Sequence, residues 1–244
     1  MQGMPILMRK LPLLVFIVFS VSANAQDIPD KKIIPFEQQN KKSNFISVYT
    51  GMLVDISSGT NLKEYIETRL PGYSNLPNDQ TLSTFATGFG FFAGGDFQIS
   101  KSISVKIDYS YRVKDISVDA IPNHTYSVFT HRPSIGINYI IPENYAFIKF
   151  GGSVSYGVSN FRRKEFGLES NFTGYTLGFN LDLMLNLQLS NMLAVYFGGS
   201  LTGDTGGKLK DESGTVLINP KNGNEVDLSS FGAGLKIGLN VYIF

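Results

Sequence analysis

The clearest pattern in the chain runs from Phe172 to Leu189, where apolar side chains occupy every second position. It ends in five leucines on consecutive odd numbers, with Asp182 and Asn186 on the even numbers between them. A repeat of two residues predicts a β-strand. A helix would scatter the leucines around its circumference and leave neither face apolar. The segment exceeds the usual strand of about five or six residues, and this length suits a strand that crosses a membrane.

The same repeat continues through eight predicted strands. In each of them, apolar residues alternate with Gly, Ser, Thr, Asn and a few charged residues. The fourth strand is the weakest, because Pro133 removes a backbone donor and suggests a bulge or irregularity. The predicted strands cover about residues 44–56, 83–99, 103–114, 126–141, 145–158, 172–189, 192–202 and 229–244.

The connections between these strands are short and long in alternation. Short turns on one rim and long loops on the other, with an even number of strands, are typical of bacterial outer-membrane barrels. The sequence therefore predicts an all-β fold, an eight-stranded antiparallel up-and-down transmembrane β-barrel with both termini on the periplasmic side. The tight turns fall at 100–102, 142–144 and 190–191, and the long loops at 57–82, 115–125, 159–171 and 203–228.

Alternation alone does not say which face meets lipid, because a soluble lipocalin-like barrel also has eight strands. The volume of the side chains distinguishes the two possibilities. An eight-stranded barrel is only wide enough inside to be filled by side chains, and the Leu, Ile, Phe, Val and Tyr of the apolar face would overfill it. We therefore expect the smaller, polar face to line the lumen and the apolar face to meet lipid.

Charged residues on the polar face form a predicted lumenal network. Their charges nearly balance in a narrow, dry space, where an unpaired ion costs several kcal/mol, so we expect ion pairs. A turn centred on Lys101 places Asp96 opposite Lys106 and Ile99 opposite Ile103. Asp96 and Lys106 are therefore expected to form a lumenal ion pair near the periplasmic end. An ion path lined by these groups is the alternative use of the lumen. The network consists of Asp55, Asp96, Lys106, Asp108, Arg112, Lys149, Asp182 and Lys236.

The composition agrees with a surface that faces lipid. Only 17% of the 244 residues are charged, against about 25% in soluble domains. The chain has no Cys, which excludes a disulfide framework, a thiolate metal site and a cysteine nucleophile. Its formal net charge is +1, so no basic excess indicates nucleic-acid binding.

The first residues have the features of a secretory signal peptide, predicted over 1–25. Arg9 and Lys10 precede an apolar core, and small residues that end at Ala25 form a cleavage site. Residues 26–43 are charged and contain two prolines, so we expect a periplasmic N-terminal tail. Residues 44–244 are the predicted barrel.

On these features the chain resembles the OmpA/OmpX-type small outer-membrane barrels and, more loosely, the PorT-like and porin-family barrel proteins of Bacteroidetes. The resemblance covers about 44–244 and rests on the signal peptide, the eight strands, the loop asymmetry and the aromatic end at Phe244. In such barrels the terminal Phe usually shares a face with the apolar residues of the last strand. Phe244 is even-numbered, however, and so falls on the same face as Asn240 and Lys236. A bulge near Tyr242 or a shifted last pair would reconcile the two. The resemblance implies location in the cell outer membrane.

Two histidines and two serines in or near the fourth strand are the candidates for chemistry. His124 and His131, with Ser127 and Ser134, do not reproduce the His–Ser arrangement of lipid A deacylases or palmitoyltransferases, and a nucleophile needs a base within hydrogen-bond reach. Two histidines alone also make a poor metal site. We therefore expect a protein that is not an enzyme and has no catalytic, cofactor or metal site.

The function expected from these features is that of a structural, adhesion or secretion-accessory protein. It would be a monomer, in contact with outer-membrane lipid and lipopolysaccharide. Protein partners would bind through the loops at 57–82 and 203–228. A narrow channel for small solutes is the alternative, and a lipid-modifying enzyme is the less favoured one.

Overall fold

The computed structural model describes residues 46–75, 85–117, 123–143 and 146–243, which form a closed barrel of eight antiparallel strands. Each strand pairs with its neighbours in the chain, and β1 closes the sheet against β8. The predicted fold class is confirmed. The strands are β1 (Ile46–Ser58), β2 (Phe85–Ser100), β3 (Ile103–Ser117), β4 (His124–Pro142), β5 (Ala146–Glu165), β6 (Leu168–Gln188), β7 (Leu193–Thr205) and β8 (Ser230–Ile243).

The β5–β6 connection is a hairpin with a two-residue turn at Phe166 and Gly167, so the loop predicted over 159–171 is wrong. Both turn residues have positive φ, 49° and 85°, as type I′ hairpin turns require. The sequence pattern faded here because the outward positions near the tip hold Arg162 and Lys164 instead of apolar residues. The apolar repeat follows the lipid boundary, whereas the strands extend beyond it.

The connection predicted as a loop over 57–82 contains a helix, α1 (Thr60–Arg69), followed by a 3-10 turn at Tyr73–Asn75. Its buried side chains, Leu62, Tyr65 and Ile66, have the three- and four-residue spacing of a helix face. Among the described residues, no helix is long and apolar enough to cross a membrane.

The β2–β3 register agrees with the prediction over most of its length. Asp96 lies opposite Lys106, and the pairs from there toward the long-loop end keep the same register. The predicted pairing of Ile99 with Ile103 is wrong, because the register shifts just before Ser100, which lies opposite Ile103. An irregularity next to a tight turn changes only the last pair.

Pro133 interrupts the pairing of β4 with β5 without changing its register. The β4–β5 pairs on either side of Pro133, His131 with Val158 and Ser134 with Ser155, are in one register. There is no bulge in β4, because no residue is added. The irregularity predicted as the alternative is confirmed, since the pairing with β5 is interrupted at Arg132 and Pro133.

The end of β8 keeps the regular alternation. Its pairing with β1 continues without a shift to Ile243, with Tyr242 buried and Ile243 exposed. The pairing therefore contains no bulge near Tyr242. Phe244 lies outside the described residues.

The two faces of the sheet separate apolar from charged side chains. Leu183 and Ile137 point outward and are 56% and 60% exposed, whereas Lys106 and Asp182 point inward and are each 1% exposed. A closed sheet satisfies its own backbone groups, which is what hydrocarbon requires. An outward apolar surface of this extent defines the membrane-facing belt of the barrel.

A charge placed at the middle of this belt should destabilise the barrel more than one at its edge. The outward apolar positions of β6 run from Tyr175 to Leu187, so Leu183 is near the centre and Leu189 lies past the strand end. Leu183→Arg should cost about 2–4 kcal/mol of unfolding free energy, and Leu189→Arg about 0–1 kcal/mol. Urea unfolding in lipid bilayers measures both, and equal losses would contradict the assigned belt.

Candidate functional site

The centre of the lumen contains two lysines around one carboxylate. Lys106 and Lys236 both donate to Asp182, and the distance from Lys236 Nζ to Oδ1 is 2.7 Å. Asp108 lies 3.9 Å from Lys106 Nζ and accepts a hydrogen bond from Ser134 at 2.7 Å. These side chains come from β3, β4, β6 and β8, so the cluster ties together strands that are not neighbours in the sheet.

A second cluster surrounds Asp96, nearer the short-turn end. Lys149 of β5 forms an ion pair with Asp96, and Asn138 Nδ2 donates to its Oδ1 at 2.8 Å. Asp96 and Lys106 are opposite each other in the sheet but belong to different ion pairs, so the pairing expected between them is wrong. The long lysine side chains reach across the narrow lumen to the opposite wall, where the carboxylates lie.

A third group of charges lies toward the long-loop end. Lys114 Nζ is 3.1 Å from Asp55, and Arg132 binds Asp204 with nitrogen-to-oxygen distances of 2.8 and 2.9 Å. Arg112 is also buried here. Lys114, Arg132 and Asp204 belong to the same lumenal set but are absent from the predicted network. Lys114 and Arg132 could have been predicted, because their even numbers place them on the inward face of β3 and β4. Asp204 could not, because it lies beyond the predicted end of its strand.

Apolar side chains fill two other parts of the lumen, which the alternation did not predict. One cluster closes the short-turn end, where Phe147 and Ala194 are completely buried. Another packs around the central ions. The end cluster is Ile140, Phe147, Ala194 and Tyr242, and the central one is Tyr49, Leu53, Phe92, Met184 and Tyr196.

The long-loop end is covered by a small apolar core, which we call the cap. It consists of α1, the ends of β4, β5 and β6 beyond the belt, and residues 206–229. Tyr65 and Ile66 of α1, 2% and 0% exposed, are its most deeply buried helix residues. The buried members are Leu62, Tyr65, Ile66, Leu70, Tyr126, Val128, Phe161, Phe172, Leu209 and Val226.

Polar contacts attach α1 to the β5–β6 hairpin. Arg69 binds the Glu165 carboxylate through two nitrogens, at 2.6 and 3.2 Å, and Tyr126 donates to the same carboxylate at 2.9 Å. The hydrogen bond to Glu165 raises the pKa of Arg69 above its usual value. Arg163 of β5 donates to the Tyr65 hydroxyl. The helix is therefore fixed against the hairpin by packing and by charge.

Residues 206–229 form a folded loop within the cap. Backbone hydrogen bonds join Leu209 to Val226 and Leu217 to Leu209, at 2.9 and 2.8 Å. The Asp211 carboxylate accepts from the backbone N–H groups of Ser213 and Thr215, both at 2.9 Å. Bonds from these two residues lower the pKa of Asp211. The turn at 212–215 is fully exposed, whereas Leu209 and Val226 in the paired segments are buried.

The histidines and serines of β4 do not form pairs. His131 points outward and hydrogen-bonds Tyr109, whereas Ser134 points into the lumen toward Asp108. His124 lies in the cap, with its ring 4.6 Å from that of Phe166. The predicted chemistry candidates therefore lie on different surfaces.

Comparison with known proteins gives structural likeness only. No protein-family model and no curated protein sequence matches the chain. Neisserial surface protein A is similar over 80% of this chain and 96% of its own, with 13% identity and a TM-score of 0.46. Ail, the attachment invasion locus protein of Yersinia pestis, is similar over 82% and 99%, with 10% identity and a TM-score of 0.46.

A third similar structure is the outer membrane protease OmpT from Escherichia coli, with 8% identity, a TM-score of 0.38 and coverage of 88% of this chain and 99% of that chain. This finding contradicts the expectation that the chain is not an enzyme, because a protease is among the barrels of similar architecture. The likeness establishes no activity in this chain.

The closed sheet, the apolar belt and the charged lumen define the class of protein. The chain is an integral β-barrel of the outer membrane.

Double-mutant cycles should detect the cross-lumen partners. Asp96→Asn with Lys149→Gln, and Asp182→Asn with Lys106→Gln, should each show a coupling free energy of about 1–3 kcal/mol, because each single change removes one partner of a buried ion pair. Asp96→Asn with Lys106→Gln should show a clearly smaller coupling. Urea unfolding in bilayers gives all three values, and the largest coupling for the last pair would contradict the assigned partners.

The ordered loop at 206–229 should accept an inserted epitope only at its tips. An epitope between Ser213 and Gly214 should leave the barrel heat-modifiable on gels and bind antibody on intact cells, because both residues are exposed. The same insertion between Leu217 and Ile218 should disrupt the cap. Labelling at the first site only after the outer membrane is opened would reverse the assigned topology.

Proposed function

We propose that this protein is a monomeric outer-membrane binding protein that acts through its cap, in adhesion, in secretion or in envelope organisation. Residues 1–25 would be removed as a signal peptide, residues 26–43 would form a periplasmic tail, and residues 44–244 would form the barrel. The belt would contact membrane lipid and lipopolysaccharide. The cap would face the outside and carry the binding surface.

The observation that carries this proposal is the exposed apolar tip of the β5–β6 hairpin. Phe166 and Leu168 are 74% and 77% exposed, and the hairpin projects beyond the belt on regular β-pairing up to Glu165 and Leu168. Large apolar side chains exposed on a rigid support are typical of contact surfaces. Phe166 also occupies positive φ, a conformation that a phenylalanine adopts at a cost, which favours a role for its ring.

The packing of the cap supports binding over passage of solutes. The helix, the hairpin and the loop at 206–229 hold one another in place, and a preorganised surface loses less entropy on binding. Phe147 closes the short-turn end of the lumen, and Ile66 lies in the core over the other end. The ion path and the narrow channel considered from the sequence therefore receive no support from the described residues.

The finer resemblance, to PorT-like and porin-family barrels of Bacteroidetes, is part of the same proposal. It would favour the secretion-accessory role among the three. A partner of that kind would contact the cap from the outside or the tail from the periplasm.

Site-specific photo-crosslinking at the hairpin tip tests the proposal. With p-benzoylphenylalanine at Phe166, intact cells should give a discrete crosslinked species, since the replacement retains an aromatic ring at the turn. The matched control is the same probe at Glu212, an exposed polar residue in a different turn. Equal crosslinking at both positions, or none at Phe166, would contradict a binding role for the tip.

A substitution distinguishes the contribution of the Phe166 ring from that of the turn conformation. Phe166→Asn should preserve the hairpin, because asparagine tolerates positive φ better than phenylalanine. With the probe moved to Leu168, this change should reduce crosslinking about tenfold, the effect of losing an aromatic contact of about 1.4 kcal/mol. Unchanged crosslinking from a normally heat-modifiable barrel would exclude Phe166 as the contact.

A further inference from the structure

One buried arginine of the lumen has no carboxylate within 4.0 Å among the residues that the structure describes. Arg112 projects inward from β3, is 8% exposed, and its Nε makes no hydrogen bond. Each other lumenal cation in the described part of the chain lies within 4.0 Å of a carboxylate. These pairs are Lys106 and Lys236 with Asp182, Lys149 with Asp96, Lys114 with Asp55, and Arg132 with Asp204.

The balance of charge in the lumen points to the same residue. The described lumenal carboxylates are Asp55, Asp96, Asp108, Asp182 and Asp204, one fewer than the lumenal cations, which are Lys106, Arg112, Lys114, Arg132, Lys149 and Lys236. Any arrangement of one-to-one pairs therefore leaves one positive charge. Because a buried charge is costly unless it is compensated, the lumen requires a further negative charge.

Arg112 borders a small cavity in which such a charge would fit. Its wall is mostly polar and includes a second arginine, Arg132. The cavity volume is about 10 Å³, enough for one water molecule or one small inorganic ion. The charged residues on this wall are Asp108, Arg112, Arg132, Asp182 and Lys236.

The two carboxylates on the wall already have donors. Asp182 accepts from Lys106 and Lys236, and Asp108 accepts from Ser134. Arg112 also lies on this wall, and its buried Nε makes no hydrogen bond in the described part of the chain.

We propose that the lumen binds one small inorganic anion of the size of chloride beside the Arg112 guanidinium. The anion supplies the missing negative charge and stabilises the folded barrel. The site is separate from the cap and independent of the binding function proposed for it.

Unfolding in two salts tests the site. Purified barrel in bilayers is unfolded by urea in sodium chloride and in sodium gluconate of equal ionic strength, since gluconate is too large for the cavity. Wild-type protein should be more stable in chloride. Above the dissociation constant, its folding equilibrium constant should rise about tenfold for each tenfold rise in chloride. Equal stability in both salts at all concentrations would overturn the proposal.

Two variants assign the effect to Arg112. Arg112→Gln should abolish the chloride dependence and, in gluconate, should be at least as stable as wild type, because it removes the uncompensated charge. Lys149→Gln removes another lumenal cation that does not border the cavity, and it should be less stable in both salts while retaining the dependence. A chloride dependence that survives in Arg112→Gln would place the anion elsewhere and refute the site.

Bromide gives a direct readout that does not require a variant to fold. Crystals of the wild-type barrel grown in bromide should show an anomalous peak beside the Arg112 guanidinium. A map without a peak in the cavity, or a peak without any effect of chloride on unfolding, would mean no site or an adventitious ion only, and either result would overturn the proposal.

Discussion

The narrow lumen is the constraint on which the rest of this structure depends. Eight strands enclose a space that side chains alone must fill, and each charge in it must be compensated because the space is nearly dry. The inward positions therefore combine small residues with a few long cations that reach carboxylates on the opposite wall. Lys106 with Asp182 and Lys149 with Asp96 are the clearest cases.

The same constraint explains what sequence reasoning could find. Inward and outward residues differ in size and polarity at every second position, so the faces of β3 and β6 follow directly from parity. Most of the β2–β3 register follows as well, because a tight turn leaves few alternatives, and only the pair next to the turn differs. The ion partners do not follow, since a contact across the lumen depends on the circumference of the barrel, which no local pattern encodes.

Beyond the belt, the sequence signal weakens for a physical reason. Outward positions there meet water, so Arg162 and Lys164 replace the apolar residues that marked the strand lower down. Helix α1 is short and mostly polar. Its three buried side chains become a recognisable core only when the hairpin and the loop at 206–229 pack against them. The cap is a tertiary structure assembled from several connections, and each connection alone resembles a loop.

The position of Lys236 on the last strand has a consequence for assembly. Asp182 of β6 can contact Lys106 of β3 as soon as six strands are in place, but Lys236 reaches the same carboxylate only from β8. A nascent barrel that lacks its final strand therefore holds this carboxylate with one lysine instead of two. The second lysine joins Asp182 when β8 pairs with β1 and closes the barrel. The closed barrel therefore has an ion pair that an open sheet without β8 lacks.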